Sequence, residues 1–335
     1  MFNLTLINLK TEQRKGNYSL LSDRLIEEIN LALQNKQKVI LFHNRKGYAR
    51  RIICSDCRYL WVCPKCGLPM ISEIQGKITC LYCKTKLSLT KCPKCKGMQW
   101  KSLGYGLQKI KQELIEKTNG KIEIIDAGQS LITKCDILLC TQPSLLDCFD
   151  RNAPPIALAA ILNADTDFYL PDFTAGARVF NRIIAFKKFC REFQIRQSII
   201  QTYSIKNKAI NAASRADFDQ FAKSELAYRR KLNYPPYSQL IKLTHQNKNQ
   251  HNCKQEAQQL YNKLKQVLSI KYGVLSISPP QPTFIPMVRG NWRYQIVIKV
   301  QSSKFKTQNY NSNLKTILKS LPPSWLIDVD PISLL

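Results

Sequence analysis

Cys54-Ser-Asp-Cys57, Cys63-Pro-Lys-Cys66, Cys80-Leu-Tyr-Cys83 and Cys92-Pro-Lys-Cys95 place eight cysteines in four evenly built pairs. Two residues between ligands let one tight turn offer two sulfurs to one ion, and four thiolates at tetrahedral corners make a structural zinc site. Eight such sulfurs imply two zinc ions. Four pairs in register disfavour a lone redox dithiol, and a disulfide framework belongs to exported chains. Only five residues separate Cys57 from Cys63, too few for an easy reversal around one cage, whereas Gly67 to Thr79 has the length of a hairpin. The spacing therefore favours a nested arrangement. Cys63, Cys66, Cys80 and Cys83 close an inner site, and Cys54 and Cys57 meet Cys92 and Cys95 in an outer one. Neither set leaves an open position for water, so the metals are expected to hold the fold and do no chemistry.

The flanking sequence alternates helix and strand patterns. Ser22 is placed to cap a helix reaching about Asn35, with Leu25, Ile26, Ile29 and Leu33 on one face. Lys38-Val-Ile-Leu-Phe42 reads as a buried strand, Asn44-Arg-Lys-Gly47 as a turn. Beyond the cysteines, Leu107, Ile110 and Leu114 mark a helix. Short apolar strands follow at Ile122-Glu-Ile-Ile125, Ile137-Leu-Leu-Cys140 and Ile156 to Leu162, then a helix over about Ala175 to Arg191 and a strand at Ser198 to Tyr203. This order predicts an α/β domain with a parallel sheet covered on both faces, interrupted by the cysteine module. A single helix is expected from Ala213 to about Leu232, ending before Tyr234-Pro-Pro-Tyr237 because proline cannot continue it. The remainder reads as a small α+β unit. Its strands are Leu240 to Thr244, Tyr294 to Val300 and Trp325 to Val329, with helices near His251 to Leu268 and Ser312 to Ser320. The expected boundaries are 1–52 with 98–210 for the sheet domain, 53–97 for the zinc insertion and 211–335 for the C-terminal domain.

The 335 residues carry 51 Lys and Arg against 23 Asp and Glu, a formal charge of +28. Such an excess attracts polyanions, nucleic acid first. Arg289-Gly-Asn-Trp-Arg-Tyr294 interleaves cations with rings, so Arg289, Trp292, Arg293 and Tyr294 are candidate DNA contacts; the competing reading makes Trp292 and Tyr294 the start of a core strand. Arg45 and Lys46, with Arg50 and Arg51, form a second basic group. The start of the chain lacks secretory features and its longest apolar run is too short for a bilayer, so a cytoplasmic, membrane-free protein with reduced thiols is expected. The isolated Cys135, Cys140, Cys148, Cys190 and Cys253 then need no partner and are expected to be small buried residues. No phosphate loop occurs, nor an Asp-Glu-x-His box, and His43, His245 and His251 stand outside any catalytic motif. Asp165 and Asp167 follow a strand where α/β sites often lie, but lack a matching second element. No catalytic residue is assigned.

Val39-Ile-Leu-Phe-His-Asn-Arg-Lys-Gly-Tyr48 followed by the four cysteine pairs resembles the primosomal protein N′ (PriA) family of replication-restart helicases. Leu162-Asn-Ala-Asp165, Leu170-Pro-Asp-Phe173, Ile200-Gln-Thr-Tyr203, Tyr228 to Tyr237 and the ending Asp328 to Leu334 extend the resemblance over nearly the whole chain. It implies that the first domain is the second RecA-like motor lobe, that the zinc pairing is nested, and that the last domain binds DNA in primosome assembly. It also implies single-strand-binding protein and primosome loader proteins as partners. Nothing in these residues matches the family's N-terminal DNA-binding domain or first motor lobe. Of the family's Gly-Thr-Gln, only Thr141 and Gln142 survive. The family's Gln-x-x-Gly-Arg-x-Gly-Arg segment supplies arginines to the terminal phosphates of the nucleotide. Ala185 to Glu192 stands in its place, with Phe189 and Glu192 at the arginine positions. The resemblance with its departures makes ATP an unlikely cofactor for this chain alone. Three readings follow: a zinc-stabilised DNA-binding protein of replication restart; half of a 3′–5′ helicase whose first lobe is on another chain; and a zinc-containing RNA-binding adaptor.

Overall fold

In the computed structural model, residues 3–43, 51–65, 67–72, 77–80, 83, 85–103, 106–125, 135–141, 155–267, 274–301, 316 and 318–335 are described. Their elements run β1 (Asn3–Asn8), α1 (Leu9–Arg14), α2 (Asp23–Gln34), β2 (Lys38–Phe42), β3 (Arg51–Cys54), β4 (Ile71–Ser72), β5 (Lys77–Thr79), β6 (Lys86–Ser88), β7 (Trp100–Leu103), α3 (Leu107–Lys117), β8 (Ile122–Ile125), β9 (Ile137–Cys140) and β10 (Ile156–Ile161). After a 3-10 turn at Ala164–Tyr169 come α4 (Ala175–Glu192), β11 (Gln197–Thr202), α5 (Lys208–Arg215), α6 (Phe218–Lys231), β12 (Ser238–Asn247), α7 (Gln250–Val267), β13 (Val274–Ile277), β14 (Gln281–Val288), β15 (Asn291–Gln301) and β16 (Trp325–Val329). The chain divides into two compact units: 1–50 with 103–170 and 174–225, and 51–102 with 171–173 and 226–335.

The first unit is built on a six-stranded sheet in the order β1-β11-β10-β2-β9-β8, with every pairing parallel. Strand alternation sends successive side chains to opposite faces. Val39 and Leu41, Ile137 and Leu139, and Leu158 and Ala160 therefore meet Leu25 and Ile29 of α2 and Ile110 and Leu114 of α3. Ile40 and Phe42, Leu138 and Cys140, and Ala159 and Ile161 meet Val179, Ile183 and Phe186 of α4 and Ile210 of α5. Both faces are thus covered, the condition that lets all-parallel strands be apolar throughout. Ser22 caps α2 as expected, its side chain accepting from the Leu25 N–H at 3.2 Å.

One expectation needs correction, and one strand was not anticipated. The single helix from Ala213 to Leu232 is two helices. Ala216 adopts a left-handed φ of 58°, which ends α5. Asp217 then restarts the chain by accepting from the Gln220 N–H at 2.9 Å. The buried ammonium of Lys187 seals the break by donating to the Ser214 carbonyl at 2.5 Å. Residues 3–8, read only for leader features, form the edge strand β1 beside β11.

In the second unit, β3 to β7 form a sheet in the order β6-β5-β4-β3-β7 around the cysteines, antiparallel from β6 through β3. A second antiparallel sheet runs β13-β15-β12-β16, with β14 pairing the near half of β15. Leu260 and Leu264 of α7 pack on Ile241, Leu243, Ile296, Ile298 and Val300. The α+β expectation holds for this part. β14 was not expected, because Pro282 and Pro286 interrupt its strand pattern; proline is tolerated at such an irregular edge pairing. Of the helix expected over Ser312 to Ser320, Thr316, Leu318 and Lys319 are helical and residues 312–315 and 317 lie outside the described residues.

Candidate metal centre and nucleic-acid surface

The cysteine turns share one backbone frame. The N–H of the first cysteine donates to the carbonyl five residues on: Cys54 to Tyr59 (2.9 Å), Cys63 to Leu68 (2.7 Å), Cys80 to Thr85 (2.9 Å) and Cys92 to Gly97 (2.8 Å). In three of them the first carbonyl also accepts from the residue four on: Arg58, Gly67 and Lys96. Those residues are left-handed, with φ of 57°, 71° and 62°. Such closure leaves both sulfurs of a pair on one side of the turn. Only glycine adopts that φ freely. Gly67→Val should therefore cost about 1–2 kcal/mol of backbone strain. In Lys96→Gly, strain relief and added chain entropy should offset to within about 1 kcal/mol. Thermal unfolding of the two variants checks this.

The turns bring together Cys54, Cys57, Cys92 and Cys95, and separately Cys63, Cys80 and Cys83, with the sulfurs of each group within 4.8 Å of one another. Cys66 lies outside the described residues. Cys54 Sγ is 3.4 Å from Cys95 Sγ, Cys57 Sγ 3.6 Å from Cys92 Sγ, and Cys63 Sγ 3.4 Å from Cys83 Sγ. These separations are far too long for a disulfide, which needs about 2.05 Å. They approach the roughly 3.8 Å edge of a tetrahedron with zinc–sulfur bonds of about 2.3 Å. The donor set is all thiol, which suits a soft or borderline cation. The two clusters therefore fit metal ions. Burial opposes ionisation of Cys83, but hydrogen bonds from the Thr85 hydroxyl and N–H, and from Cys63 and Cys80, bring its pKa down to about 6.

Around the inner cluster Ile52, Trp61, Leu68, Met70 and Ile78 make a small core with Cys63 and Cys80. Trp61 and Trp100 meet edge to face with centroids 4.8 Å apart. Ile285 and Met287 of β14 pack against the same core. The hairpin of the second sheet is thus joined to the cysteine module through shared apolar surface.

That hairpin carries the expected contact segment. Val288 pairs with Asn291 across the two-residue turn Arg289-Gly290, both at positive φ (49° and 82°). This is the twisted turn that antiparallel strands favour. Arg289 is exposed at the tip. Trp292 and Arg293 are half-buried on β15. Tyr294 is 6% exposed and packs with Cys253 and Ala257, so the ring named as a candidate stacking surface belongs to the core. The signal was available, since Tyr294, Ile296, Ile298 and Val300 alternate as one buried face. Arg45 and Lys46 lie outside the described residues.

In the first unit Asp165 ties two strand ends together: its Oδ2 accepts from Thr202 Oγ1 at 2.8 Å and the Tyr203 N–H at 2.7 Å. Asp167 pairs with Arg182 at 2.5 Å. These are structural engagements. Phe189, at the position the family resemblance gives to an arginine, is 5% exposed. Its ring lies 5.9 Å from Phe42 and 4.7 Å from Phe193. Burial pushes the thiols of Cys135, Cys140 and Cys190 up to about 11, 12 and 12. At pH 8 each stays a neutral thiol, so these three should escape alkylation until the chain is unfolded, as peptide mass spectrometry would read.

A parallel-sheet α/β unit, a cysteine module with two metal-competent clusters and an α+β unit define the class, and residues 230–332 match the family model described as Primosomal protein N C-terminal domain. Along almost its whole length the chain is similar to proteins named Replication restart protein PriA. It is 29% identical to that of Borreliella burgdorferi over 99% of this chain and 51% of the relative. It is 28% identical to that of Bacillus subtilis over 95% and 40%, and 23% identical to that of Thermotoga maritima over 99% and 45%. The chain spans about half the length of these curated relatives. No helix among the described residues is long and apolar enough to cross a membrane.

Proposed function

We propose that this chain is a DNA-binding protein of replication restart and primosome assembly. In this reading two zinc ions stiffen its cysteine module, and branched or single-stranded DNA is the ligand. Similarity to PriA along almost the whole chain is the observation that carries it. Cys54, Cys57, Cys92 and Cys95 would hold one ion, and Cys63, Cys66, Cys80 and Cys83 the other. Bound zinc would supply only a fixed tetrahedral anchor for four thiolates. Arg289 at the hairpin tip is the favoured phosphate contact, flanked by Trp292 and Arg293. With a charge of +28, affinity should fall steeply as salt rises.

The sheet domain (1–52 and 98–210) is proposed as a RecA-like second motor lobe that does not turn over ATP by itself. Residues 53–97 would be the zinc insertion and 211–335 the DNA-binding domain, in a cytoplasmic protein. The burial of Phe189 favours the inactive reading, because an arginine at a terminal phosphate can be worth orders of magnitude in rate. The second reading, a helicase completed by a separately encoded first lobe, is favoured by the extent of the match to a helicase family. Forked DNA and structured RNA are compared for binding across salt, and ATP turnover is measured with forked DNA, alone and with a candidate first lobe. Salt-dependent preference for the fork without turnover is expected. Preference for RNA, or DNA-stimulated hydrolysis by this chain alone, would overturn the proposal.

A further inference from the structure

The last turn of α6 and the Tyr-Pro-Pro-Tyr segment after it have no role in the function proposed so far. Three cations there sit on aromatic rings. Arg229 lies 5.6 Å from the Phe173 centroid, Lys299 Nζ 3.7 Å from Tyr234, and Arg230 4.8 Å from Tyr237. Two of the three are engaged inside the fold. Arg229 donates to the Pro235 carbonyl at 3.3 Å and Lys299 to the Leu232 carbonyl at 2.7 Å. Burial lowers the Lys299 pKa, and the Phe173 and Tyr234 rings stack at 5.2 Å.

Arg230 is different. It is exposed, it rests on the face of Tyr237, and its guanidinium donors have no acceptor among the described residues. Lys231 beside it is exposed, and Tyr228 is 54% exposed. Cations in a last helical turn are favoured by the helix dipole. That accounts for the charge but not for the exposed Tyr228, three residues before Lys231 on the same side of the helix. A guanidinium resting over a ring face is already partly positioned and loses less entropy when it meets phosphate oxygens. The exposed ring of Tyr228, beside Lys231, offers a π-face that any unpaired base can use.

We propose that this turn is a contact site for single-stranded DNA. Arg230, resting over Tyr237, and Lys231 take backbone phosphates, and Tyr228 stacks on an unpaired base. The proposal rests on the DNA-binding reading above and adds a site apart from the β14–β15 hairpin. The test is fluorescence anisotropy of the full chain with an oligothymidylate, a duplex of equal length and a fork, across a salt series. Tyr228→Ala should weaken oligothymidylate binding about tenfold and leave the duplex within about twofold. Arg230→Gln and Lys231→Gln should each lower the slope of log affinity against log salt by about 0.7. Arg230→Lys should keep the slope and still lose affinity several-fold, because the guanidinium fork is gone. Lys263→Gln, on the exposed face of α7, should change nothing. If the unmodified chain binds the fork and Tyr228→Ala, Arg230→Gln and Lys231→Gln match it in affinity and slope, this site is refuted while DNA binding stands. If the unmodified chain binds none of the three probes, the DNA-binding reading fails first. Should a ring or arginine variant misfold by circular dichroism, Lys231→Gln, a wholly surface change, decides alone: an unaltered slope refutes the site.

Discussion

With the proposed zinc in the inner cluster, Cys80→Ser is expected to release it and unfold the cysteine module, and to loosen the β14–β15 hairpin with it. Cys80 is fully buried among Ile52, Met70 and Ile78. The core it belongs to is small, and small cores commonly need a metal or disulfide to be stable. A structural zinc contributes on the order of 10 kcal/mol to such a module, comparable with the whole stability of a domain, about 5–15 kcal/mol. If the proposed zinc sits there, losing the Cys80 sulfur should therefore have a large effect. Ile285 and Met287 extend the consequence, because their apolar contacts are made with that same core. Amide hydrogen exchange should show lost protection in 51–54, 77–79 and 86–88, and also in 281–288, while β2, β9 and β10 stay protected. Unchanged protection at 281–288 in a demetallated variant would show that the hairpin stands without the module.

Phe189→Arg is expected to destabilise the first unit by about 3–5 kcal/mol, and not to create ATP turnover. Phe189 packs into the core on one sheet face, with Phe42 at the end of β2 and Phe193 at the end of α4. Removing a buried aromatic ring costs about 3–5 kcal/mol, and an arginine there also brings a charge that must be desolvated or must drag the helix outward. Phe189→Leu keeps an apolar filling and should cost far less, about 1 kcal/mol. Denaturant unfolding of the two variants separates the cases. An arginine tolerated within about 1 kcal/mol would mean the side chain reaches solvent, and the position would again be open to a nucleotide.

Where a residue's neighbours in sequence determine its surroundings, the reading from sequence and the structure agree. Val39 to Phe42 is apolar without alternation because α2 and α3 cover one face and α4 and α5 the other. The cysteine turns were legible because two-residue spacing is a local property, and the frame from Cys54 to Tyr59 or Cys92 to Gly97 needs only six residues. The failures occur where a single backbone angle or a distant partner decides. Nothing in the apolar pattern marks Ala216 as left-handed, yet that one angle turns a long helix into α5 and α6. The prolines of β14 hid a strand whose pairing with β15 is irregular and whose Ile285 and Met287 find their partners some two hundred residues away in sequence. Tyr294 looked like part of an exposed cation–ring motif because Arg289 and Arg293 flank it. Its burial depends on α7, which places Cys253 and Ala257 over it.

The metal content of the purified full chain, measured by plasma mass spectrometry alongside the protein concentration, bears on the proposal at its root. Two tightly held zinc ions per chain are expected, falling to one in both Cys80→Ser and Cys92→Ser. A chain that carries no zinc and still keeps residues 51–103 protected from exchange would contradict it.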